Sequence, residues 1–258
     1  MPHVPLLRVV PLESIRRHEE VDPLRVERLQ SRISAEAVQV NPMTCIEAPG
    51  GELVLLDGAT RTETLKRIGL TLAVVQIVEP HSLELSTWHH VVRECTPEEL
   101  LEAVESSPDL DMSENYGTPS IHPYEGASHL VTGADGISDN ATLSALVRTY
   151  IGRWRVTRTT DPRREHVATS YPGWAAIIEF PIVTIGDVME AAISNDLLPA
   201  GVTRFLVPNR ALRLNVPLDH LEGNSVAGAQ TALDRLLEER ASEGRIRRYE
   251  GPIYILDD

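Results

Sequence analysis

The residues from Asp57 to Arg61 place a carboxylate, a glycine and a guanidinium within five positions. They follow the apolar run 54–56 and precede a helix-like segment that Gly69 ends. Such a strand–turn–helix junction directs several backbone N–H groups and the positive end of the helix dipole towards one point. Arg61 adds a planar fork of donors there. The pattern predicts either an ordinary turn with an exposed arginine or a phosphate site formed by Gly58, Ala59, Thr60 and Arg61.

The sequence on either side of this turn predicts the elements that position it. Asp22 and Pro23 are typical of the first residues of a helix, and apolar residues recur on one helical face through Ile33. Gly50 and Gly51 predict a hairpin turn between two strands, at 42–46 and 52–56, and a segment that is apolar except for Gln76 predicts a buried strand at 72–78.

The order of these elements and the Asp-Gly-x-x-Arg turn at 57–61 resemble the ParB-like, sulfiredoxin-like fold. Within that superfamily, His18-Glu19 followed by the Asp-Pro-Leu-Arg of residues 22–25 resembles the kinases of free L-serine, a branch that includes an enzyme of siderophore biosynthesis. Segments 198–204 and 210–218 resemble the C-terminal block of the same kinases. The likeness therefore extends over the whole chain.

The resemblance implies a phosphotransferase that converts free L-serine to O-phospho-L-serine, with Mg²⁺ and either ATP or ADP as the phosphoryl donor. Its product would serve siderophore, other specialised-metabolite or cysteine-type biosynthesis. The resemblance makes Glu19 the base that accepts the hydroxyl proton, and Glu20 is the adjacent alternative.

The other candidate residues each have two or more interpretations. Asp57, also a candidate catalytic residue, would orient a Mg²⁺-bound water or the serine amino group, or would only hydrogen-bond the turn. Trp88 is either a core residue or, by the resemblance, part of the substrate site. Thr203 and Arg204 would bind the serine carboxylate or the phosphate, or would only be a pair at a strand edge.

Two positions depart from the family pattern. The family usually has a histidine where this chain has Thr60, and another where it has Phe205. A phenyl ring in place of an imidazole removes a donor for phosphate or carboxylate. One alternative is therefore a degenerate kinase that only binds nucleotide. Another is a ParB-like DNA-binding or ligand-sensing regulator.

Composition restricts the compartment and the partners. The 258-residue chain contains two isolated cysteines, no signal-peptide pattern at its first residues and no apolar run of membrane-spanning length. These features predict a cytoplasmic protein that does not contact a membrane. The nine histidines lack His-x-x-x-His or His-Glu-x-x-His spacing, so no metal-ligating residue is predicted.

The charge distribution argues against nucleic-acid binding. The formal net charge is −14, and residues 81–150 contain twelve Asp or Glu but only two basic residues, Arg93 and Arg148. Because DNA affinity comes largely from neutralising phosphates, such a surface repels a duplex. The arginines between 148 and 164 are the exception. They form a solvated face, a phosphate or nucleotide contact, or a DNA contact.

The order of elements predicts an α+β protein. The resemblance implies a ParB-like nucleotide- and phosphate-binding domain at 1–85 and a larger α+β lobe at 86–258 that completes the substrate site. Thr96 begins a capping box for a helix to about Glu105. Residues 107–126 are predicted to be a long loop. Strands are predicted at 211–216 and 246–256, and a long helix at 225–242.

Overall fold

The computed structural model describes residues 5–248 and confirms the predicted mixed α and β fold class. The strands of this part are β1 (Leu7–Pro11), β2 (Ile15–Arg17), β3 (Val38–Gln39), β4 (Met43–Glu47), β5 (Leu53–Asp57), β6 (Leu72–Ile77), β7 (Glu84–Thr87), β8 (His89–Arg93), β9 (Leu110–Ser113), β10 (Ser120–Pro123), β11 (His129–Gly133), β12 (Arg155–Thr159), β13 (Trp174–Glu179), β14 (Thr203–Leu206) and β15 (Val216–Pro217). The helices are α1 (Pro23–Glu36), α2 (Ala59–Arg67), α3 (Pro97–Glu105), α4 (Asp139–Tyr150), α5 (Arg164–Ser170), α6 (Ile185–Ser194) and α7 (Val226–Ser242). Among these helices, none has both the length and the apolar character to cross a membrane.

The chain forms two compact units, and each unit is assembled from segments distant in sequence. The first contains the described residues of 1–15, 23–82 and 207–258, and the second contains 16–22 and 83–206. The sequence predicted one division near residue 85. The structure differs because the C-terminal segment pairs its backbone with the first unit, where β15 lies antiparallel to β3. Residues 18–20 likewise pair with Leu198 of the second unit.

Four strands of the first unit lie in the order β1, β6, β4, β5. β6 pairs antiparallel with β1 and parallel with β4, and β4 pairs antiparallel with β5. All six residues of β6 are buried, as its mostly apolar pattern predicts, and they include the polar Gln76. The helices α1 and α2 pack on each other, with Val26 and Leu65 fully buried. This sheet and helix pair hold the turn at residue 58.

The second unit has a six-stranded sheet in the order β12, β8, β13, β10, β11, β9, in which every pair is antiparallel. The prediction of a loop over 107–126 is wrong for two segments, since β9 and β10 lie there. The composition of both segments favours turns, but β10 pairs with β11 on one side and with β13 on the other, and its Ile121 is completely buried. Tertiary pairing overrides the local preference.

The capping box at Thr96 and the helix to Glu105 are confirmed. The long helix is confirmed as α7, with Ser225 as its N-cap. The predicted strand at 211–216 is wrong for most of its length. Arg213 and Asn215 adopt left-handed φ angles of 53° and 43°, which interrupt an extended strand. Most of the strand predicted at 246–256 lies outside the described residues.

Candidate functional site

The first group of predicted residues lies in the first unit, where β5 passes into α2. β5 ends at Asp57, and Gly58 adopts φ 112°, in the left-handed region. A Cβ atom at Gly58 would lie 2.7 Å from Cγ of Met43 and 3.0 Å from Nη2 of Arg61. Both conformation and space therefore require glycine here. No side chain caps this helix end, so its first N–H groups are left for another acceptor.

Asp57 and Arg61 form an ion pair across this turn. Nη2 of Arg61 donates to Oδ2 of Asp57 at 3.2 Å, and Arg210 from the C-terminal segment contacts the same oxygen. Burial lowers the pKa of Arg61 to about 10, which leaves it charged at neutral pH. Burial also lowers the pKa of Arg210. A guanidinium group in a protein is ordinarily protonated at neutral pH. Two guanidinium groups and one carboxylate leave a net positive charge at the N-terminus of α2. The combination favours an anion.

Arg61 has unused donor capacity. Its Nε atom is buried and has no hydrogen-bond partner within the described residues. Nη2 also approaches the carbonyl of Pro42 at 3.5 Å.

The other two residues predicted to bind phosphate, Ala59 and Thr60, differ in exposure. Ala59 is buried, whereas Thr60 is half-buried. The carbonyl of Thr60 accepts a hydrogen bond from the Thr64 hydroxyl at 2.8 Å.

Arg210 had no predicted role, although it lies in the C-terminal segment 210–218 that carries part of the resemblance. The buried amide of Gln76 determines its place. Gln76 donates to the carbonyl of Asn209 at 3.2 Å and accepts from the N–H of Ala211 at 2.8 Å. These two hydrogen bonds hold the backbone on both sides of Arg210 beside β6. No local pattern in the sequence reveals this contact, because its partners lie about 135 residues apart.

The second group of predicted residues lies in the second unit and is organised around Glu19. The backbone of His18 and Glu20 brackets Leu198: the N–H of Leu198 donates to the His18 carbonyl at 2.9 Å, and the N–H of Glu20 donates to the Leu198 carbonyl at 2.8 Å. Oε2 of Glu19 accepts from the N–H of Gly201 at 3.1 Å. Backbone and side chain are both fixed by the 198–201 segment.

Glu20, the alternative to Glu19, has a different environment. It forms an ion pair with Arg148 at 3.7 Å, and both side chains are largely exposed. A carboxylate paired in this way at the surface is solvated and gains little from its partner. The adjacent carboxylates are therefore distinguished by their contacts, which the sequence could not show.

Thr203 and Arg204 lie on opposite faces of β14, as neighbours in a strand must. Oγ1 of Thr203 contacts Nε2 of His18 at 3.0 Å, and the ring of Phe205 meets His18 edge-on with centroids 5.6 Å apart. Phe205 thus packs against the histidine that precedes Glu19. Phe205, where the resemblance led us to expect a histidine, therefore contacts this segment.

Arg204 lies instead with Trp88. Its guanidinium carbon is 5.1 Å from the centre of the indole ring, within the range of a cation–π contact. The N–H of Trp88 donates to the carbonyl of Val202 at 2.7 Å, which holds the tryptophan beside β14. The next two residues, His89 and His90, begin β8 and are both buried.

The predicted residues therefore fall into two groups. Residues 57–61 lie together in the first unit, and Glu19, Trp88, Thr203 and Arg204 lie together in the second. Within the described residues, no cluster of three or more His, Cys, Asp or Glu side chains is arranged to hold a metal ion.

Comparisons with known proteins agree with this architecture. No family model matches the chain. It is 26% identical over 256 residues to the ATP-dependent L-serine kinase SbnI of Staphylococcus aureus, and the alignment covers 97% of each protein. The structure of SbnI with a C-terminal truncation has a TM-score of 0.74 at 23% identity, covering 91% of this chain and 97% of that one. A free serine kinase in complex with AMP has a TM-score of 0.73 at 15% identity, covering 84% and 94%.

The chain shares the fold of these serine kinases. The likeness extends through both compact units, as the coverage of 91% requires. The end-to-end similarity expected from the three sequence segments is thereby confirmed.

Proposed function

We propose that the protein is a nucleotide-dependent kinase that phosphorylates free L-serine to O-phospho-L-serine. The observation that carries this proposal is the placement of Glu19. Its carboxylate is held by the Gly201 N–H, while the adjacent Glu20 is paired at the surface with Arg148. End-to-end similarity to an ATP-dependent L-serine kinase supports the substrate and favours ATP as the donor.

In this reaction Glu19 accepts the proton of the serine hydroxyl, and the serine oxygen attacks the terminal phosphorus of the nucleotide. The bond between that phosphorus and the bridging oxygen breaks, so that the nucleotide leaves with one phosphate fewer. Arg204, held over Trp88, binds the serine carboxylate. Thr203 holds His18 and thereby the segment that carries Glu19.

The turn at residues 57–61 binds the nucleotide phosphates. The uncapped N–H groups after Gly58 contact phosphate oxygens, and Arg61 supplies charge where negative charge develops. Asp57 orients Arg61 and Arg210, since its carboxylate contacts both guanidinium groups.

Mg²⁺ fits this site as a partner of the nucleotide. The described residues hold no cluster of three acidic or histidine ligands, and Mg²⁺ in kinases is commonly bound by one or two carboxylates together with substrate phosphates. Both arginines contact Oδ2 of Asp57, so its other carboxylate oxygen, Oδ1, would contact the Mg²⁺ that accompanies the nucleotide. When bound, the ion neutralises the charge of the phosphates.

The product defines a class of downstream reaction. Phosphate is a better leaving group than hydroxide, so O-phospho-L-serine suits a β-replacement reaction. A supply of precursor for siderophore, other specialised-metabolite or cysteine-type biosynthesis follows from this chemistry.

The direct test is to incubate the protein with Mg²⁺ and either ATP or ADP, together with L-serine, D-serine, L-threonine or L-homoserine. We expect ³¹P NMR and mass spectrometry to detect phosphoserine from L-serine. The better of the two nucleotides identifies the donor. Nucleotide binding without phosphorylation of any amino acid would favour the degenerate kinase instead.

A further inference from the structure

Gly201 contacts both the carboxylate of Glu19 and the guanidinium group of Arg158. Its N–H donates to Oε2 of Glu19 at 3.1 Å, and its φ of 82° lies in the left-handed region. The place of a Cβ atom at Gly201 is already taken by the guanidinium group of Arg158. Glu19 and Arg158 therefore contact the same residue, one through its N–H and the other against its Cα.

Arg158 differs from the other arginines of the basic stretch. It lies on β12 opposite His90 of β8, and its side chain is half-buried. Arg155, on the same strand, is exposed and pairs with Glu94 at 3.6 Å. The sequence grouped both as one basic face. The structure directs only Arg158 towards Gly201, so Arg155 is a matched control.

The buried groups next to Arg158 are uncharged at neutral pH. Nδ1 of His90 hydrogen-bonds the hydroxyl of Tyr150 at 2.8 Å. Burial, followed by the charge of Arg158, lowers the pKa of His90 to about 3, and burial raises the pKa of Tyr150. The charged groups that contact Gly201 through its N–H and beside its Cα are Glu19 and Arg158, which carry opposite charges.

We propose that Arg158 is a positioning residue for Glu19, because its guanidinium holds the Gly201 N–H towards the carboxylate and its charge favours the ionised form of that carboxylate. The inference rests on the proposed function, in which the ionised Glu19 is the base. Other titratable groups near the segment are His18, which contacts Thr203, and Glu20, which is paired with Arg148. Neither contact involves Gly201.

The first test is the pH dependence of kcat/KM for phosphoserine formation in Arg158→Gln, Arg158→Met and Arg158→Lys. An opposite charge nearby favours an ionised carboxylate by one unit or more. We expect the neutral variants to move the acidic limb of the profile about one pH unit upwards. Arg158→Lys keeps the limb near its original place but lowers kcat, because an ammonium cannot reproduce the planar contact with Gly201. Arg155→Gln changes neither quantity.

The second test does not depend on turnover. In protein labelled with ¹⁵N at glycine, the Gly201 amide signal follows the ionisation of the carboxylate that accepts its hydrogen bond, and Glu19→Gln abolishes that transition. The neutral Arg158 variants should move the transition upwards by about the same amount as the acidic limb. An unchanged transition would overturn the inference, even if kcat falls. If the wild type makes no phosphoserine and yet the transition moves as expected, the proposed function fails and the positioning role of Arg158 stands.

Discussion

The turn at 57–61 and the surroundings of Glu19 both hold their side chains in place, but the first does so with neighbouring residues and the second with distant ones. Five consecutive residues form the turn, and its geometry follows from one left-handed glycine between a strand and a helix. Glu19 is instead held by residues about 180 positions away, through the Leu198 backbone and the Gly201 N–H. A site formed by consecutive residues can be predicted from the sequence, whereas a site formed by distant segments can be recognised only in the folded structure.

The two regions also differ in how they handle charge. The turn gathers two arginines around one carboxylate and favours an anion. Around Gly201, the carboxylate of Glu19 and the guanidinium of Arg158 lie beside the neutral His90–Tyr150 pair. The first arrangement suits binding of phosphate, and the second suits a base that must stay ionised. The comparison predicts that a substitution of Glu19 lowers turnover alone, whereas substitutions in the turn weaken nucleotide binding as well.

Glu19→Gln should have the largest effect. An amide cannot accept the proton, so kcat should fall by about 10²–10⁴-fold while nucleotide affinity is retained. Glu20→Gln, which removes only a surface ion pair, serves as the control and should retain near-normal turnover. Stopped-assay kinetics and calorimetry give the two quantities. A dead Glu20→Gln beside an active Glu19→Gln would transfer the role by one residue.

Arg61→Ala should lower turnover more than nucleotide affinity, by about 10²-fold in kcat, because its charge is most effective where negative charge develops. Arg61→Lys should recover little, since an ammonium lacks the planar fork. Arg67→Ala, which breaks a surface pair with Glu63 on the same helix, is the control. Equal losses in kcat and affinity would mean that Arg61 only anchors the phosphate of the bound nucleotide.

Gly58→Ala tests the geometry of the turn. The left-handed φ and the overlap with Met43 should together reduce the free energy of unfolding by about 2–4 kcal/mol and weaken nucleotide binding. Gly51→Ala has a similar φ of 89° but open space around its Cβ, so only the conformational cost of about 1–2 kcal/mol is expected. Urea unfolding measures both. If both variants lost the same free energy of unfolding, the Met43 side chain would have moved aside without an energetic penalty.

His90 should make the second unit sensitive to acid. Its pKa is lowered from 6.5 in the unfolded chain to about 3 in the fold, so its contribution is complete above pH 6.5 and is lost as the pH falls towards 3. Between pH 7 and pH 5 we expect a loss of up to about 2 kcal/mol. Urea unfolding of His90→Gln should show a shallower pH dependence, and the exposed His81→Gln should keep the original one. Identical slopes in all three proteins would contradict the assignment.

The smallest expected effect is on DNA. The acidic stretch 81–150 predicts no specific duplex binding in about 150 mM salt, where non-specific binding is already weak. Fluorescence anisotropy with a panel of duplexes is the measurement. Tight, sequence-dependent binding under these conditions would contradict the assignment of both regions to small molecules and would favour the regulator.

By itself, the sequence determined the elements whose signals are local. The turn at Gly58, the capping box at Thr96 and the helix over 226–242 all follow from capping residues, glycine conformation and apolar periodicity, which act within a few positions. The resemblance to serine kinases depended on motifs of the same short range, and it predicted the fold correctly.

Only the tertiary structure decided which distant residues lie together in the two candidate regions. Gln76 places Arg210 beside Asp57, and Gly201 joins Glu19 to Arg158, through contacts between segments that no short-range pattern connects. The strand β10 formed in a segment of turn-favouring composition for the same reason. Burial leaves polar groups in need of partners, and which partners are available depends on how the whole chain packs.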